Sequence, residues 1–183
     1  MENIVVEIEV NGIKFNIIVL EFGPRRAVID WANDFLLRHD TENNIILTHE
    51  YLTNLGELVT NNITSEFQFS HDFSTPREIW EKLVAPHNVL CVLCGHNGFN
   101  SISFAENIRG SKVAQVLFNL QYQDHGGDGW VQLWEFPKNS DFHRKLLIFT
   151  LIMIAAGVPF PQIAIDNLGL SCSEAPFIAS SFE

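Results

Sequence analysis

The chain has little of three features that mark common functional classes: cysteine, basic charge and long apolar runs. Three cysteines in 183 residues cannot form the set of disulfide bonds that holds small secreted domains together, which favours a reducing compartment. The 11 Lys and Arg residues are outnumbered by 22 Asp and Glu residues, so the formal net charge is −11. Nucleic-acid binding without sequence preference depends on clustered basic side chains, and this balance argues against it. The same balance is compatible with binding cations.

Features of membrane insertion and secretion are also missing. The longest apolar run, 146–160, is shorter than the roughly 20 residues of a membrane-spanning helix. Met1 leads into acidic residues rather than into the basic stretch that opens a signal peptide. We therefore expect no membrane span and a cytoplasmic location. With 46% hydrophobic and 18% charged residues, the chain has the composition and length of one globular domain with a substantial core.

Two short apolar segments each end at a histidine. Val89–Cys94 is apolar at every position and too short for a helix, which predicts a buried strand in the middle of a sheet. Gly95 and His96 follow it, and His49 directly follows a similar apolar segment at 45–48. Layered α/β sheets bind ligands beyond the carboxyl ends of their strands. We predict that His49 and His96 converge at one rim of the sheet and bind a metal ion, because imidazole suits Zn, Fe, Mn or Ni. Taken singly, each histidine would more often be structural than functional, and only the pair makes a metal site an equal alternative.

The remaining pattern predicts an α/β fold. The alternation at 4–10 predicts a half-buried strand, and an Asn-Gly pair joins it to a returning strand rich in β-branched residues, which forms a β-hairpin. An apolar stripe of helical spacing follows Gly23-Pro24 and runs through Val28, Trp31, Ala32, Phe35 and Leu36. A capping box at Thr75 opens a second helix. The run at 146–154 is either a last strand or a buried helix. Predicted strands span 4–10, 13–21, 44–48, 89–94, 102–108, 112–121 and 129–136, and a loop at 51–74 is predicted to lie over the histidine site.

Three other motifs have a structural and a functional interpretation. Cys91 and Cys94 have the spacing of a redox or zinc motif, but alternation along a strand places them on opposite faces, which favours two core residues. Arg25 and Arg26 near a helix start are either solvated side chains or an anion site. The segment 124–129, Asp-His-Gly-Gly-Asp-Gly, is either a plain turn or a phosphate-binding loop, and no helix is predicted after it.

Several stretches taken in order resemble the C-terminal half of the calcineurin-like metallophosphoesterases. They are Val-Leu-Glu-Phe-Gly-Pro-Arg at 19–25, Trp-Ala at 31–32, Ile-Ile-Leu-Thr-His-Glu-Tyr-Leu at 45–52, Cys-Gly-His-Asn at 94–97 and Gly-Gly-Asp-Gly-Trp at 126–130. The resemblance covers the chain from about Glu7 to Phe136. It implies a partial metallophosphoesterase-type β-sandwich with flanking helices and a mixed or mostly antiparallel sheet. It divides the chain into this region, 1–136, and a divergent tail, 137–183.

The resemblance also implies a chemistry. His49 and His96 would bind the same metal ion, His96 being the first histidine of the Gly-His-x-His motif of the family. A complete member would hold two divalent ions (Mn, Zn or Fe), which polarise a phosphoryl oxygen and activate water to hydrolyse a phosphate mono- or diester. The sequence departs from the family at Gly98, which replaces the second histidine. The family's N-terminal motifs, Asp-x-His, Gly-Asp-x-x-Asp and Gly-Asn-His-(Asp/Glu), supply most metal ligands, and none of them precedes the matching stretches in this sequence.

Two functions therefore remain open from the sequence. The first is metal-dependent phosphoester hydrolysis by a complete parent domain, of which this chain is an incomplete, weakly active or inactive version. The second is a non-catalytic binding or structural domain derived from the same fold, using its loop and the surface around Trp130 and Trp134 for a partner. The sequence names no catalytic residue, no substrate and no oligomeric state.

Overall fold

A computed structural model of the chain describes residues 2–10, 12–60, 72–98, 100–122, 130–135 and 147–152, the last two ranges by their backbone alone. The elements are β1 Ile4–Val10, β2 Ile13–Val19, α1 Arg26–Arg38, β3 Asn43–Leu47, α2 Pro76–Ile79 with its π-helical continuation Trp80–Val84, β4 Val89–Cys94, β5 Ser101–Glu106, β6 Lys112–Leu117, β7 Trp130–Glu135 and β8 Leu147–Ile152.

Six of these strands form a mixed sheet in the order β1-β2-β3-β4-β6-β5. The inner pairs β2–β3, β3–β4 and β4–β6 are parallel, and the outer pairs β1–β2 and β5–β6 are antiparallel. The α/β class and the mixed sheet that the sequence predicts are confirmed. The apolar segment β4 lies inside the sheet between β3 and β6, as its composition predicts.

The predicted hairpin at the start of the chain forms, but its first strand is not half-buried as predicted. Val6, Ile8 and Val10 of β1 are 39%, 41% and 52% exposed. The reason is that β1 is the outermost strand, and both described helices contribute to the core on the opposite sheet face. The alternation along β1 identifies an apolar face correctly, but it carries no information about what covers that face.

Helix α1 covers its sheet face with a slightly different stripe from the predicted one. Val28, Ile29, Ala32 and Leu36 are its buried residues, whereas Trp31 is 37% exposed. The helix begins at Arg26, two residues after the Gly-Pro pair. Together with Ile18, Ile46 and Val92 from the central strands, these side chains form the main core. The spacing of apolar residues fixes the buried face of the helix only to within about one residue. In the structure this face includes Ile29 instead of Trp31.

The capping box that opens α2 is present. Thr75 accepts a hydrogen bond from the Glu78 backbone N–H, and the Glu78 side chain accepts one from the backbone N–H of Thr75. Pro76 takes the first helical position, where a missing N–H costs nothing. The helix then widens into π geometry before Pro86 ends it. The local sequence therefore predicts where this helix starts. The change from α-helical to π-helical geometry is visible only in the structure.

Cys91 and Cys94 are core residues on opposite faces of the sheet, as predicted. Both are free thiols and both are buried. Burial in apolar surroundings raises the pKa of Cys94 to about 12 and raises that of Cys91 as well. Neither is a thiolate near neutral pH, so neither has the reactive form that redox or zinc chemistry needs.

The run at 146–154 contains a strand rather than a helix. Its described part, β8, pairs antiparallel with β7 in a separate two-stranded sheet. The division of the chain at residues 136 and 137 stays a prediction, and the glycine-rich segment 124–129 lies outside the described residues. In the part of the chain that the structure describes, no helix has the length and apolarity to cross a membrane.

His87 is a loop residue whose side chain is buried. It lies just before β4, is 3% exposed, and its Nε2 is 2.8 Å from Asn33 Oδ1. Its Nδ1 faces Asp40 at 3.6 Å, and Arg109 binds the other oxygen of that carboxylate. Burial lowers the pKa of His87, and the positive charge of Arg109 adds to this effect while Asp40 opposes it.

We predict that His87 makes the protein less stable as the pH falls below neutral. The folded-state pKa lies below the value of about 6.5 in an unfolded chain, so the unfolded state binds more protons as the pH drops through that value. The stability contribution of neutral His87 is complete above pH 6.5 and declines below it. The free energy of unfolding, measured with urea at pH 7.5 and at pH 5, should fall less in His87→Gln than in wild type. Asn33→Ala, which keeps the titrating imidazole, should retain the steeper fall; an equal fall in all three proteins would contradict the prediction.

Candidate metal centre

The two candidate histidines lie side by side because β3 and β4 are neighbouring parallel strands. Their pairing continues past the strand ends: the Thr48 N–H donates to Leu93 O, and the Gly95 N–H donates to His49 O, each at 2.9 Å. His49 Nε2 and His96 Nδ1 are 3.2 Å apart, and the two rings have their centres 4.8 Å apart. The predicted convergence of both imidazoles at one rim of the sheet is therefore present.

The separation of the two nitrogens suits a shared metal ion. Zinc binds histidine nitrogens at about 2.0–2.1 Å with tetrahedral angles, which puts two ligand nitrogens about 3.3 Å apart. The observed 3.2 Å is close to that spacing. It is also a hydrogen-bond distance, so in metal-free protein one imidazole can donate to the other. The geometry accommodates either a proton or a cation between the two nitrogens.

The backbone at His96 is in the left-handed region, with φ of 69°. For a residue with a side chain this conformation costs about 1–2 kcal/mol. His96 is the only non-glycine residue with positive φ in the described part of the chain. Strain of this kind is retained where the surrounding structure imposes it and is concentrated at functional sites. Gln121 contributes by donating to the His96 carbonyl at 3.2 Å.

Phe22 forms an aromatic wall on the site. Its ring meets His49 edge-on with centres 4.8 Å apart, and it is 5.3 Å from the ring of His96. The ring occupies one side of both imidazoles and shields them from water on that side. Phe22 belongs to the segment between β2 and α1, so a third element of the chain contributes to the site. The sequence predicted no role for Phe22 beyond its place in the family-like stretch.

Glu50 lies close to the site and was not predicted as a site residue. Its side chain is buried, with the residue 6% exposed. Oε1 accepts a hydrogen bond from Asn97 Nδ2 at 3.1 Å, whereas Oε2 has no hydrogen-bond partner among the described residues. The adjacent Tyr51 and Leu52 are fully buried, so the predicted loop at 51–74 begins inside the core. The sequence clue was the direct neighbourhood of Glu50 and His49, which by itself does not reveal burial.

The surroundings keep His49 neutral at lower pH than usual. His49 is exposed as a residue, and partial desolvation of its ring is the largest cause of its lowered pKa. The nearby charge of His96 lowers the pKa further, while the carboxylate of Glu50 raises it. A histidine must be neutral to bind a metal ion. The site therefore holds one imidazole in its ligand form over a wider pH range than a free histidine.

The two other described histidines, His39 and His87, do not join this pair. His39 is 3.2 Å from a carboxylate oxygen of Glu42 and stacks on Phe35, and His87 lies before the start of β4, at its opposite end. His71, His125 and His143 lie outside the described residues. Within the ranges that the structure describes, no group of three or more His, Cys, Asp or Glu side chains is placed to share a metal ion.

The two arginines at the start of α1 are both engaged by acidic residues. Arg25 binds Glu21 through two nitrogens, at 2.7 Å and 3.0 Å. This bonding lowers the pKa of Glu21 to about 2. Arg26 is 3.6 Å from a carboxylate oxygen of Asp72. An anion at this helix start would have to compete with these carboxylates.

Comparison with known proteins did not assign the chain to a group. No family model matches it, and no curated protein matches it. The geometry of the site is therefore the basis for any function.

We predict that His49 titrates below the ordinary histidine value of 6.5 in metal-free protein. His96→Ala should raise the pKa of His49 only part of the way, because partial desolvation of the ring is the larger cause and remains. Glu50→Gln should lower that pKa further, because a neighbouring negative charge is lost. Imidazole resonances followed by NMR against pH measure each value. A pKa for His49 at or above 6.5 in wild type would contradict the prediction.

Proposed function

We propose that the chain binds a divalent metal ion through His49 Nε2 and His96 Nδ1. We also propose that it belongs to the lineage of the calcineurin-like metallophosphoesterases. In this proposal the six-stranded sheet corresponds to part of their β-sandwich, and a complete domain hydrolyses phosphate mono- or diesters. The observation that carries the proposal is the approach of the two nitrogens to 3.2 Å at the exits of neighbouring parallel strands.

Three properties of this chain's own residues support a cation rather than a neutral ligand. The nitrogens have the spacing of two ligands of one ion, the pKa of His49 is lowered so that its nitrogen is free to bind, and the buried carboxylate of Glu50 places negative charge close by. When bound, a Mn, Zn or Fe ion would act as a Lewis acid toward a phosphoryl oxygen. Phe22 limits access of water on one side of the pair.

The site is poor in ligands, which limits the activity we expect. A catalytic zinc ion usually has three protein ligands, and only these two converge in the part of the chain described by the structure. Gly98, where the family has a second histidine, has φ of +53°, and a Cβ added there would lie 2.8 Å from Asn54 Cβ. Asn54 thus occupies the space that a side chain at position 98 would need. We expect weak metal binding and little turnover.

Gly98→His should fail to restore a third ligand. The added Cβ would collide with Asn54 and would be held in a left-handed conformation, lowering the free energy of unfolding by about 1–3 kcal/mol. The double variant Asn54→Gly/Gly98→His removes the collision and should recover part of that stability. Urea denaturation and zinc titration measure both effects, with Gly98→Ala as the control for strain without an imidazole. Tighter zinc binding by Gly98→His at wild-type stability would show that Asn54 does not block the position.

Metal titration tests the proposed function directly. Wild type should bind Zn²⁺ or Co²⁺ at one site, and His49→Ala or His96→Ala should weaken binding by more than the roughly 10–100-fold that loss of an outer-shell partner costs. His39→Ala, a histidine remote from the pair, is the control and should bind like wild type. Calorimetry gives the affinities, and absence of metal binding by wild type would overturn the proposal. Hydrolysis of a nitrophenyl phosphodiester with Mn²⁺ or Zn²⁺ should be slight; rapid hydrolysis lost in both histidine variants would show that two ligands suffice.

A non-catalytic binding domain is the second candidate function. The position of Asn54 beside Gly98 favours this second candidate. A histidine at position 98, which would be the simplest third ligand, would collide with Asn54. Elemental analysis of purified protein separates the two candidates. Stoichiometric metal favours the hydrolase lineage, whereas a metal-free protein whose stability is unchanged by a chelator favours the binding domain.

A further inference from the structure

We propose that Glu50 and Asn97 form a clasp that positions His96 against His49, so that Asn97 is a positioning residue of the site. The inference rests on the proposed metal-binding function, but the clasp itself is a property of the protein without metal. Each member follows one of the two histidines in the chain: Glu50 comes after His49, and Asn97 comes after His96. The clasp therefore links the residues that follow the two imidazoles in the chain.

The hydrogen bonds of Asn97 connect the two loops at two points. Its Nδ2 donates to Glu50 Oε1 at 3.1 Å and to the Leu52 carbonyl at 3.3 Å. Its own backbone N–H donates to the carbonyl of Gly95 at 2.9 Å, across His96. This short bond encloses the one residue that has a side chain and a positive φ among the described residues. Asn97 thus closes a tight turn whose centre is His96.

The buried carboxylate gives the clasp its strength. Glu50 is 6% exposed, and a hydrogen bond to an ionised acceptor is stronger than one between neutral groups. A buried carboxylate with a single side-chain donor depends on that donor, because an unpaired buried polar group is costly. Removal of the Asn97 amide would leave both Glu50 oxygens without a side-chain donor among the described residues. The strained turn at His96 would then lose the contact that offsets its strain.

A double-mutant cycle separates positioning from general stability. Asn97→Ala and Glu50→Ala each remove the clasp, and each should weaken Co²⁺ binding by roughly 10–100-fold. Glu50→Ala also removes the negative charge near the pair, so the double variant should weaken Co²⁺ binding no more than Glu50→Ala alone. Glu50→Gln keeps an acceptor for Asn97 and removes only the charge, so it should lose less affinity than Glu50→Ala. Asn100→Ala is the matched control, because Asn100 lies at the same rim, is exposed, and binds the Asn119 N–H. It should bind Co²⁺ like wild type.

A second readout needs no metal. In wild type the hydrogen bond between His49 Nε2 and His96 Nδ1 should hold both rings in fixed tautomers, visible in long-range ¹H–¹⁵N NMR spectra of the imidazoles. Asn97→Ala and Glu50→Ala should shift both rings to the tautomer mixture of free histidine, whereas Glu50→Gln and Asn100→Ala should not. Asn97→Leu, similar in size but without a donor, replaces Asn97→Ala if the latter does not fold.

The outcomes of these experiments test the clasp separately from the proposed metal-binding function. Fixed tautomers that persist without the Asn97 amide, or additive losses in the cycle, would overturn the clasp. Failure of wild type to bind Co²⁺, together with the expected tautomer changes, would overturn the proposed function and leave the clasp standing.

Discussion

The parallel pairing of β3 with β4 is the constraint on which the site depends. Neighbouring parallel strands end at the same rim of a sheet. Residues that follow the two strands are therefore close in space although they are far apart in the sequence. The two backbone hydrogen bonds beyond the strand ends extend this alignment to His49 and to Gly95, one residue before His96. A displacement by one residue would turn one imidazole to the other face of the sheet. The interior position of both strands, covered by α1 and α2 on one side, resists such a displacement.

Two features that lower the stability of the folded protein occur together at the site. His96 adopts a strained backbone conformation, and Glu50 is a buried carboxylate with one oxygen that has no partner in the described part of the structure. Each lowers stability when considered alone. Their placement close to two converging imidazoles suits the proposed cation site, because neutral ligands and nearby negative charge both favour a bound positive ion. Features that oppose folding are expected at functional sites more than elsewhere.

Prediction from the sequence succeeded where local pattern and local geometry agree. Thr75 and Glu78 identify the start of α2 because a capping box is a contact between residues three apart. The apolar composition of β4 identifies an interior strand because both of its faces must be covered. Prediction failed at Trp31 and along β1, where spacing indicates an apolar position but cannot tell which element packs against it. His87 is polar and yet buried, because Asn33 and Asp40 from distant parts of the sequence surround it.

The sequence by itself determined the alternation of strands and helices, the strand exits at His49 and His96, and the absence of a third histidine at Gly98. These are properties of short segments, where neighbouring residues carry the information. Only the tertiary structure decided that Glu50 is buried and bonded to Asn97, that Phe22 lies against both imidazoles, and that Asn54 occupies the space beside Gly98. Each of these contacts joins segments separated in the chain, and their geometry depends on strand order and register, which no local pattern specifies.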